Sequence, residues 1–144
     1  MAIDWGTLRI GLAVSDELGL TAQGLPTLER VSREADFAAL EKLIAEREVR
    51  LVVVGDPLEL SGAAGPQSEK ARRFGRALAK RCSLPLEMWD ERFTSGQAES
   101  MLRQGGITRR DKQKRSVDRM AAVLILQSYL EARPAPMPSP EAAS

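Results

Sequence analysis

The sequence of 144 residues contains no histidine and a single cysteine, Cys82. The absence of histidine excludes an imidazole base, a Ser-His-Asp triad and every histidine-ligated metal site. One thiol cannot form an internal disulfide bond or a cysteine-ligated zinc site. Cys82 has no histidine partner and ends an amphipathic stretch, which favours a structural role. Any chemistry that this protein performs is therefore expected to depend on carboxylates.

Long apolar runs are missing as well. No segment approaches the roughly 18 apolar residues needed to span a bilayer, and no basic region with a following apolar stretch opens the chain. We therefore expect a cytoplasmic protein with no membrane partner. Its 43% apolar and 28% charged residues are typical of a soluble globular protein. The length predicts a single domain over residues 1–132, and the proline-rich composition predicts a disordered tail over 133–144.

The net charge of +1 gives no general argument for a nucleic-acid partner, so the distribution of charge matters more. The segment RRDKQKRSVDR at residues 109–119 holds six basic and two acidic residues and no aromatic residue. This composition favours contact with phosphates over stacking with bases. A solvated basic loop between two helices is the alternative. The candidate nucleic-acid-binding residues of this segment are Arg109, Arg110, Lys112, Lys114 and Arg115.

The first third of the chain carries signals of strands followed by a helix. Apolar and β-branched residues predict two strands within residues 1–16, joined by a short turn, and a weaker third strand at 19–28. Apolar residues at helical spacing predict a helix at 36–47. The continuous run LVVVG at 51–55 predicts a strand covered on both faces.

The second half alternates helices with one further strand. Pro66 is suited to the first turn of a helix, and a strand is expected at 84–91. Thr94 begins a capping-box pattern that predicts another helix, and Ser116 is the expected cap of the last helix. The order of these elements predicts an α/β fold with an antiparallel first part and helical crossovers later.

Acidic residues occupy three special places in this arrangement. Asp4 lies on the first strand, Asp90 and Glu91 end the last strand, and Asp118 falls in the first turn of the last helix. Each has a simpler explanation, such as a turn hydrogen bond, an ion pair or a favourable helix N-terminus. Brought together, however, these carboxylates would repel one another unless a divalent cation compensated their charge. Oxygen-only ligands select Mg²⁺ or Mn²⁺, and paired ions can hydrolyse a phosphodiester without histidine.

Four ordered motifs resemble the YqgF/RuvX family of RNase H-fold, RuvC-like nucleases. The motifs are AIDWGTLRIGLAVSD at 2–16, VVVGDPLELSGAAGPQ at 52–67, WDERFTS at 89–95 and KRSVDRMAAVLILQSYL at 114–130. The resemblance implies a ribonuclease H-like α/β fold, with a five-stranded mixed sheet flanked by helices. It also implies metal-dependent phosphodiester hydrolysis in processing of the 5′ end of pre-16S ribosomal RNA. Two alternatives stay open: a homodimeric Holliday junction resolvase, and a non-catalytic ribosome-assembly factor that binds nucleic acid.

Carried onto this chain, the resemblance implies that Asp4, Glu91 and Asp118 are catalytic and hold Mg²⁺ or Mn²⁺. Adjacent side chains on a strand face opposite ways, so only one of Asp90 and Glu91 is expected to reach the metal, and the family pattern favours Glu91. Arg9 and Arg92 are expected near the site, in contact with phosphate or in salt bridges. The resemblance leaves open whether the chain acts as a monomer or a homodimer.

Two positions depart from the family pattern. Asp56 follows the glycine of VVVG, where the family usually has an apolar residue, so it either adds a charge beside the metal or lies on a loop. Only Met1, Ala2 and Ile3 precede Asp4. That is short for a strand expected at the centre of the sheet, because strands average about 5 to 6 residues.

Overall fold

The computed structural model describes residues 1–58, 61–91 and 110–133, with the backbone alone for 110–117. Its five strands are β1 (Ala2–Trp5), β2 (Arg9–Ser15), β3 (Ala22–Glu29), β4 (Val52–Asp56) and β5 (Leu86–Asp90). The helices within this part of the chain are α1 (Arg33–Glu46), α2 (Pro66–Cys82) and α3 (Arg110–Ala132). The predicted helix near Thr94, the tail from residue 134 onwards and the side chain of Arg92 lie outside the described residues.

The strands form one mixed sheet in the order β3-β2-β1-β4-β5. Strands β1 to β3 pair antiparallel, whereas β4 is parallel to both β1 and β5. Parallel neighbours require crossovers, which α1 and α2 supply. The predicted α/β fold with a five-stranded mixed sheet is therefore confirmed.

The short strand β1 lies at the centre of this sheet. All four of its residues pair with β2, while Ala2 and Ile3 also pair with β4. The backbone amide of Val53 donates to the carbonyl of Met1 at 2.8 Å. Met1, Ala2 and Ile3 are all buried, so the three residues before Asp4 are held by a neighbouring strand on each side.

Alternation along the strands separates two apolar layers. On one face, Ile3, Ile10 and Leu12 pack with residues of α1 and α2 such as Phe37 and Leu78. On the other face, small side chains of the strands pack against α3, and this layer contains Ala2, Ala13, Val53, Ala122, Ile125 and Leu126. The small residues let α3 lie close to the sheet.

Three sequence-based expectations need correction. The last helix begins at Arg110 and not at Ser116, so the basic segment from Arg110 onwards is helical and not a loop. Its lysines, arginines and glutamine favour helix, and they outweigh the local capping signal of Ser116. Helix α1 begins at Arg33, because the Ser32 side chain accepts the backbone amide of Ala35 at 3.1 Å.

The third correction concerns β3, which is a strand of eight residues and not a weak one. It includes both Gly24 and Pro26. Proline is tolerated there because β3 lies at the edge of the sheet that the described residues form. No helix in the described part of the chain is both long and apolar enough to cross a bilayer.

Candidate active site

The topology brings the sequence-predicted acids to one edge of the sheet. Strands β1, β4 and β5 run parallel, so their carboxyl ends meet at the same edge. Asp4 lies near the end of β1, and Glu91 follows the last residue of β5. Their side chains form a hydrogen bond, and the charge of Asp118 on α3 also acts on Asp4. Three acids that are far apart in sequence thus form one cluster.

Strand alternation separates Asp90 from Glu91. Met88 packs in the layer with α1 and α2, whereas Trp89 packs in the layer with α3. Asp90 therefore falls on the α1 and α2 side of the sheet, in register with Asp56, and Glu91 falls on the side of Asp4. Glu91 is therefore the residue of this pair that lies on the same face as Asp4.

Two glycines make room for the cluster. A Cβ atom at Gly55 would overlap Glu91 Oε2 and lie 2.6 Å from Ile125 Cδ1, so the bare backbone of β4 is needed beneath Glu91. A Cβ atom at Gly11 would overlap the carbonyl oxygen of Asp118, so α3 touches β2 at this point. The sequence shows both glycines inside strand patterns, a signal of close approach. Their partners could not be read from it.

Burial and neighbouring charges raise the proton affinity of Asp4 and Glu91. Burial of the carboxyl, and then the neighbouring charges of Glu91 and Asp118 together with the hydrogen bond to Glu91, raise the pKa of Asp4 well above its ordinary value. Burial also raises the pKa of Glu91, as do the charges of Asp56 and Asp90, whereas the hydrogen bond with Asp4 opposes this shift. Two buried carboxyl groups in contact thus bind a proton more tightly than two solvated ones.

Arg9 forms an ion pair within the cluster. Its Nε donates to Asp118 Oδ2 at 3.1 Å, and about a quarter of each side chain is exposed. Of the two roles expected for Arg9, the structure shows the salt bridge. A guanidinium has five N–H donors, so the same side chain can also approach a phosphate.

Asp56 has a structural role on the opposite face. Its side chain is buried, and Ser68 Oγ donates to Oδ1 at 2.5 Å. Arg72 donates to Oδ2 from both Nε and Nη2, at 3.0 and 2.8 Å. Asp56 is thus the end residue of β4 that anchors α2, and it does not lie on a loop. Ser68 and Arg72, one turn apart on α2, are partners that sequence reasoning missed.

Of the other predicted residues, Arg92 and Arg109 lie outside the described residues, as do the side chains of Arg110, Lys112, Lys114 and Arg115. Cys82 is partly buried beside the apolar layer of α1 and α2. Its burial raises the pKa of the thiol, which keeps the reactive thiolate scarce. This agrees with a structural role.

The donor set suits a hard divalent cation. Asp4, Glu91 and Asp118 offer only oxygen ligands, and the first two are buried carboxyl groups whose pKa values burial raises. Among the described residues, no three acidic, cysteine or histidine side chains already have the spacing of a ligand set. In this arrangement Asp4 and Glu91 bind each other, and Arg9 binds Asp118. Cation binding would replace these contacts.

The sheet order and the carboxylate cluster define the class of protein, an RNase H-like α/β domain. The fold is shared with Thermus thermophilus RuvC in complex with Holliday junction substrate, at a TM-score of 0.58 and 17% identity over 91% of this chain and 92% of that chain. A second Thermus thermophilus RuvC structure gives a TM-score of 0.53 at 14% identity, over 90% and 94% of the two chains. Both similarities concern the fold.

The chain belongs to the RuvX family, whose model, described as Holliday junction resolvase, matches residues 1–132. A relative from Koribacter versatilis is 53% identical over 133 residues, which are 92% of this chain and 86% of the relative. One from Syntrophus aciditrophicus is 45% identical over 132 residues, or 92% and 87%. Each carries the name "Putative pre-16S rRNA nuclease". The resemblance found in the sequence motifs is confirmed.

Proposed function

We propose that this protein is a metal-dependent nuclease that hydrolyses phosphodiester bonds in processing of the 5′ end of pre-16S ribosomal RNA. The observation that carries the proposal is the cluster of Asp4, Glu91 and Asp118 at the edge of an RNase H-like sheet. The names of the relatives support the RNA substrate. Such a substrate would place the activity in the cytoplasm.

In this proposal Asp4, Glu91 and Asp118 hold Mg²⁺ or Mn²⁺. The bound cation supplies activation of water and stabilisation of the leaving oxygen. The central strand β1 fixes Asp4, because both neighbouring strands pair with it. The glycine at position 55 lets Glu91 reach the same side of the sheet. These residues set the position of the reacting phosphate.

Arg9 has two parts in the proposed mechanism. Its ion pair orients Asp118. Were Asp118 to hold a cation, the Arg9 guanidinium would be free at the same edge to bind a non-bridging phosphate oxygen of the substrate. Arg92 and the basic residues from Arg109 to Arg115 are proposed as further phosphate contacts, as their sequence positions suggest.

The test is a cleavage assay on three labelled substrates with Mg²⁺ or Mn²⁺. The panel holds single-stranded RNA, a mimic of the pre-16S 5′ end, and a four-way DNA junction. We expect cleavage of the pre-16S mimic, and at least a 100-fold loss of kcat in Asp4→Asn and Asp118→Asn, since each removes about 3 kcal/mol or more of metal-dependent stabilisation. Glu87→Gln, an exposed change on β5, is the matched control. Equal activity in all four proteins would refute the site.

A second candidate is resolution of four-way junctions, which the description of the family model favours. It predicts a preference for the DNA junction and a symmetric dimer that makes paired cuts. Light scattering separates a monomer from a dimer in the same samples. A third outcome, salt-sensitive binding with no metal-dependent cleavage and no effect of Asp4→Asn, would indicate a non-catalytic assembly factor.

A further inference from the structure

A positively charged pocket lies on the face of the sheet opposite the acids. It has a volume of about 160 Å³ and is lined by Trp5, Arg30, Arg33, Lys70, Arg73 and Phe74. Two aromatic rings and four cationic side chains from β1, from the end of β3 and from α1 and α2 therefore meet in one cavity. No acid is among the described residues that line it. The elements that form the pocket are distant in sequence, so no local sequence motif predicts it.

Side-chain contacts hold the inner part of the pocket together. Arg30 Nε donates to the buried carboxylate of Asp36 at 3.0 Å, and its guanidinium lies 5.1 Å from the centre of the Trp5 ring. Trp5 also contacts Phe74, with ring centroids 6.2 Å apart. Phe74 in turn stacks on Phe37 at 5.1 Å. Arg30 is thus neutralised and fixed by its surroundings, and it serves as part of the wall.

The outer cations are available to a ligand. Arg33, Lys70 and Arg73 are all exposed. Within the part of the chain that the structure describes, none of them forms a salt bridge. Three cations converge here, and although the charge of Arg33 also acts on the neighbouring Glu34, this arrangement attracts an anion. Aromatic rings line the inner part of the pocket and cations line its outer part. The pocket therefore suits a phosphate with an attached planar or apolar group.

The size and place of the pocket indicate what this anion belongs to. The cavity is smaller than the roughly 300–1,000 Å³ typical of sites for whole small molecules, so it accommodates one unit of a larger ligand. Trp5 directly follows Asp4 on β1, about 3.8 Å away between Cα atoms, and the two side chains point to opposite faces. A nucleic-acid strand that crosses this edge of the sheet would contact the acids on one face and the pocket on the other.

We propose that this pocket binds a backbone phosphate of the nucleic-acid substrate, away from the phosphodiester that is cleaved. Lys70, Arg73 and Arg33 bind the phosphate, and Trp5 with Arg30 supports the adjoining nucleotide. The substrate therefore bends across the edge of the sheet and is held on both faces. This inference rests on the proposed nuclease function, because it assigns a further subsite to the same substrate.

The test measures binding without cleavage. Fluorescence anisotropy in EDTA gives the affinity for the pre-16S mimic across a series of salt concentrations. The double variant Lys70→Glu/Arg73→Glu is compared with Lys42→Glu/Lys80→Glu, which makes the same change in net charge on exposed residues of α1 and α2 outside the pocket. Lys80 lies about 15 Å along α2 from Lys70. Thermal melts check that all variants fold.

We expect the pocket variant to bind about tenfold or more weakly at about 0.1 M salt, with the slope of log K against log salt reduced by roughly 1.4 to 1.8, as for two lost phosphate contacts. The control pair should stay within about threefold of wild type. In the cleavage assay, KM should rise while kcat at saturating substrate stays within about twofold. Equal losses in the pocket and control pairs would overturn the inference.

Two further results separate this inference from the proposed function. If wild type binds the RNA through the pocket but never cleaves it with Mg²⁺ or Mn²⁺, the nuclease proposal fails and the pocket stands. If the RNA is cleaved but the pocket variant binds it as tightly as wild type, the nuclease proposal stands and this inference fails. Inorganic phosphate at millimolar concentration should not displace the RNA, and displacement would overturn the assignment to a polymer backbone.

Discussion

The buried ion pair between Asp56 and Arg72 gives the sharpest prediction about stability. Asp56→Ala removes the acceptor of both Arg72 donors and of Ser68 Oγ. The Ser68 side chain is completely buried, so its hydroxyl loses its partner at a cost of about 1–3 kcal/mol. The Arg72 side chain is 31% exposed and can turn to water, so the lost ion pair adds only about 1 kcal/mol. We expect Asp56→Ala to lower the free energy of unfolding by about 3 kcal/mol.

Arg72→Ala should lower the free energy of unfolding at least as much as Asp56→Ala, although Arg72 is the more exposed partner. Arg72→Ala leaves a carboxylate that is 5% exposed with the Ser68 hydroxyl as its remaining side-chain partner, and such a removal costs about 3–5 kcal/mol. In the double variant both charges are gone, so its loss should be smaller than the two single losses combined by about 1–3 kcal/mol.

Urea unfolding at neutral pH measures all three variants, and thermal melting provides a second reading. For a chain of 144 residues, a loss of 3 kcal/mol corresponds to a fall in Tm of about 10 °C. Lys42→Ala is the control, because its pair with Glu46 is exposed on both sides and should change stability by less than about 0.5 kcal/mol. A loss below about 1 kcal/mol in Asp56→Ala, or strict additivity in the double variant, would refute the buried ion pair as a stabilising anchor.

Gly11→Ala should cost about 1–3 kcal/mol and reduce cleavage, because the new Cβ would push the backbone of Asp118 away from the sheet; unchanged Tm and activity would contradict this contact. Asp4 has a raised pKa in the fold, so its stabilising contribution is present below its ordinary pKa of 3.8 and is lost as pH rises through the higher folded value. In EDTA, wild type should therefore lose more stability than Asp4→Asn between about pH 4 and neutrality, and parallel urea-unfolding profiles would count against the shift. Mg²⁺ at about ten times its Kd should stabilise wild type by about 1.4 kcal/mol and leave Asp4→Asn nearly unchanged in a melting titration; equal stabilisation would disprove ligation through Asp4.

Much of the fold could be predicted because its signals are local. The apolar run before Gly55 indicates a strand with both faces covered, and β4 is buried throughout. In the last helix Ala121, Ala122 and Ile125 lie at helical spacing after Asp118, and all three are buried. The predicted start of α3 was wrong because a capping residue and a run of good helix formers gave opposite local signals.

In the candidate site, too, only the features with local signals could be predicted from the sequence. The sequence by itself determined the kind of chemistry, since a chain without histidine that places acids at strand and helix ends offers oxygen ligands alone. It also identified the family through four ordered motifs. The tertiary structure alone decided that Glu91 and not Asp90 shares a face with Asp4, and that Asp56 binds Ser68 and Arg72. Only the tertiary structure shows that Trp5, Lys70 and Arg73 line one pocket. Those outcomes depend on strand register and helix docking, which bring together groups far apart in the chain, whereas residue type and local spacing are fixed before folding begins.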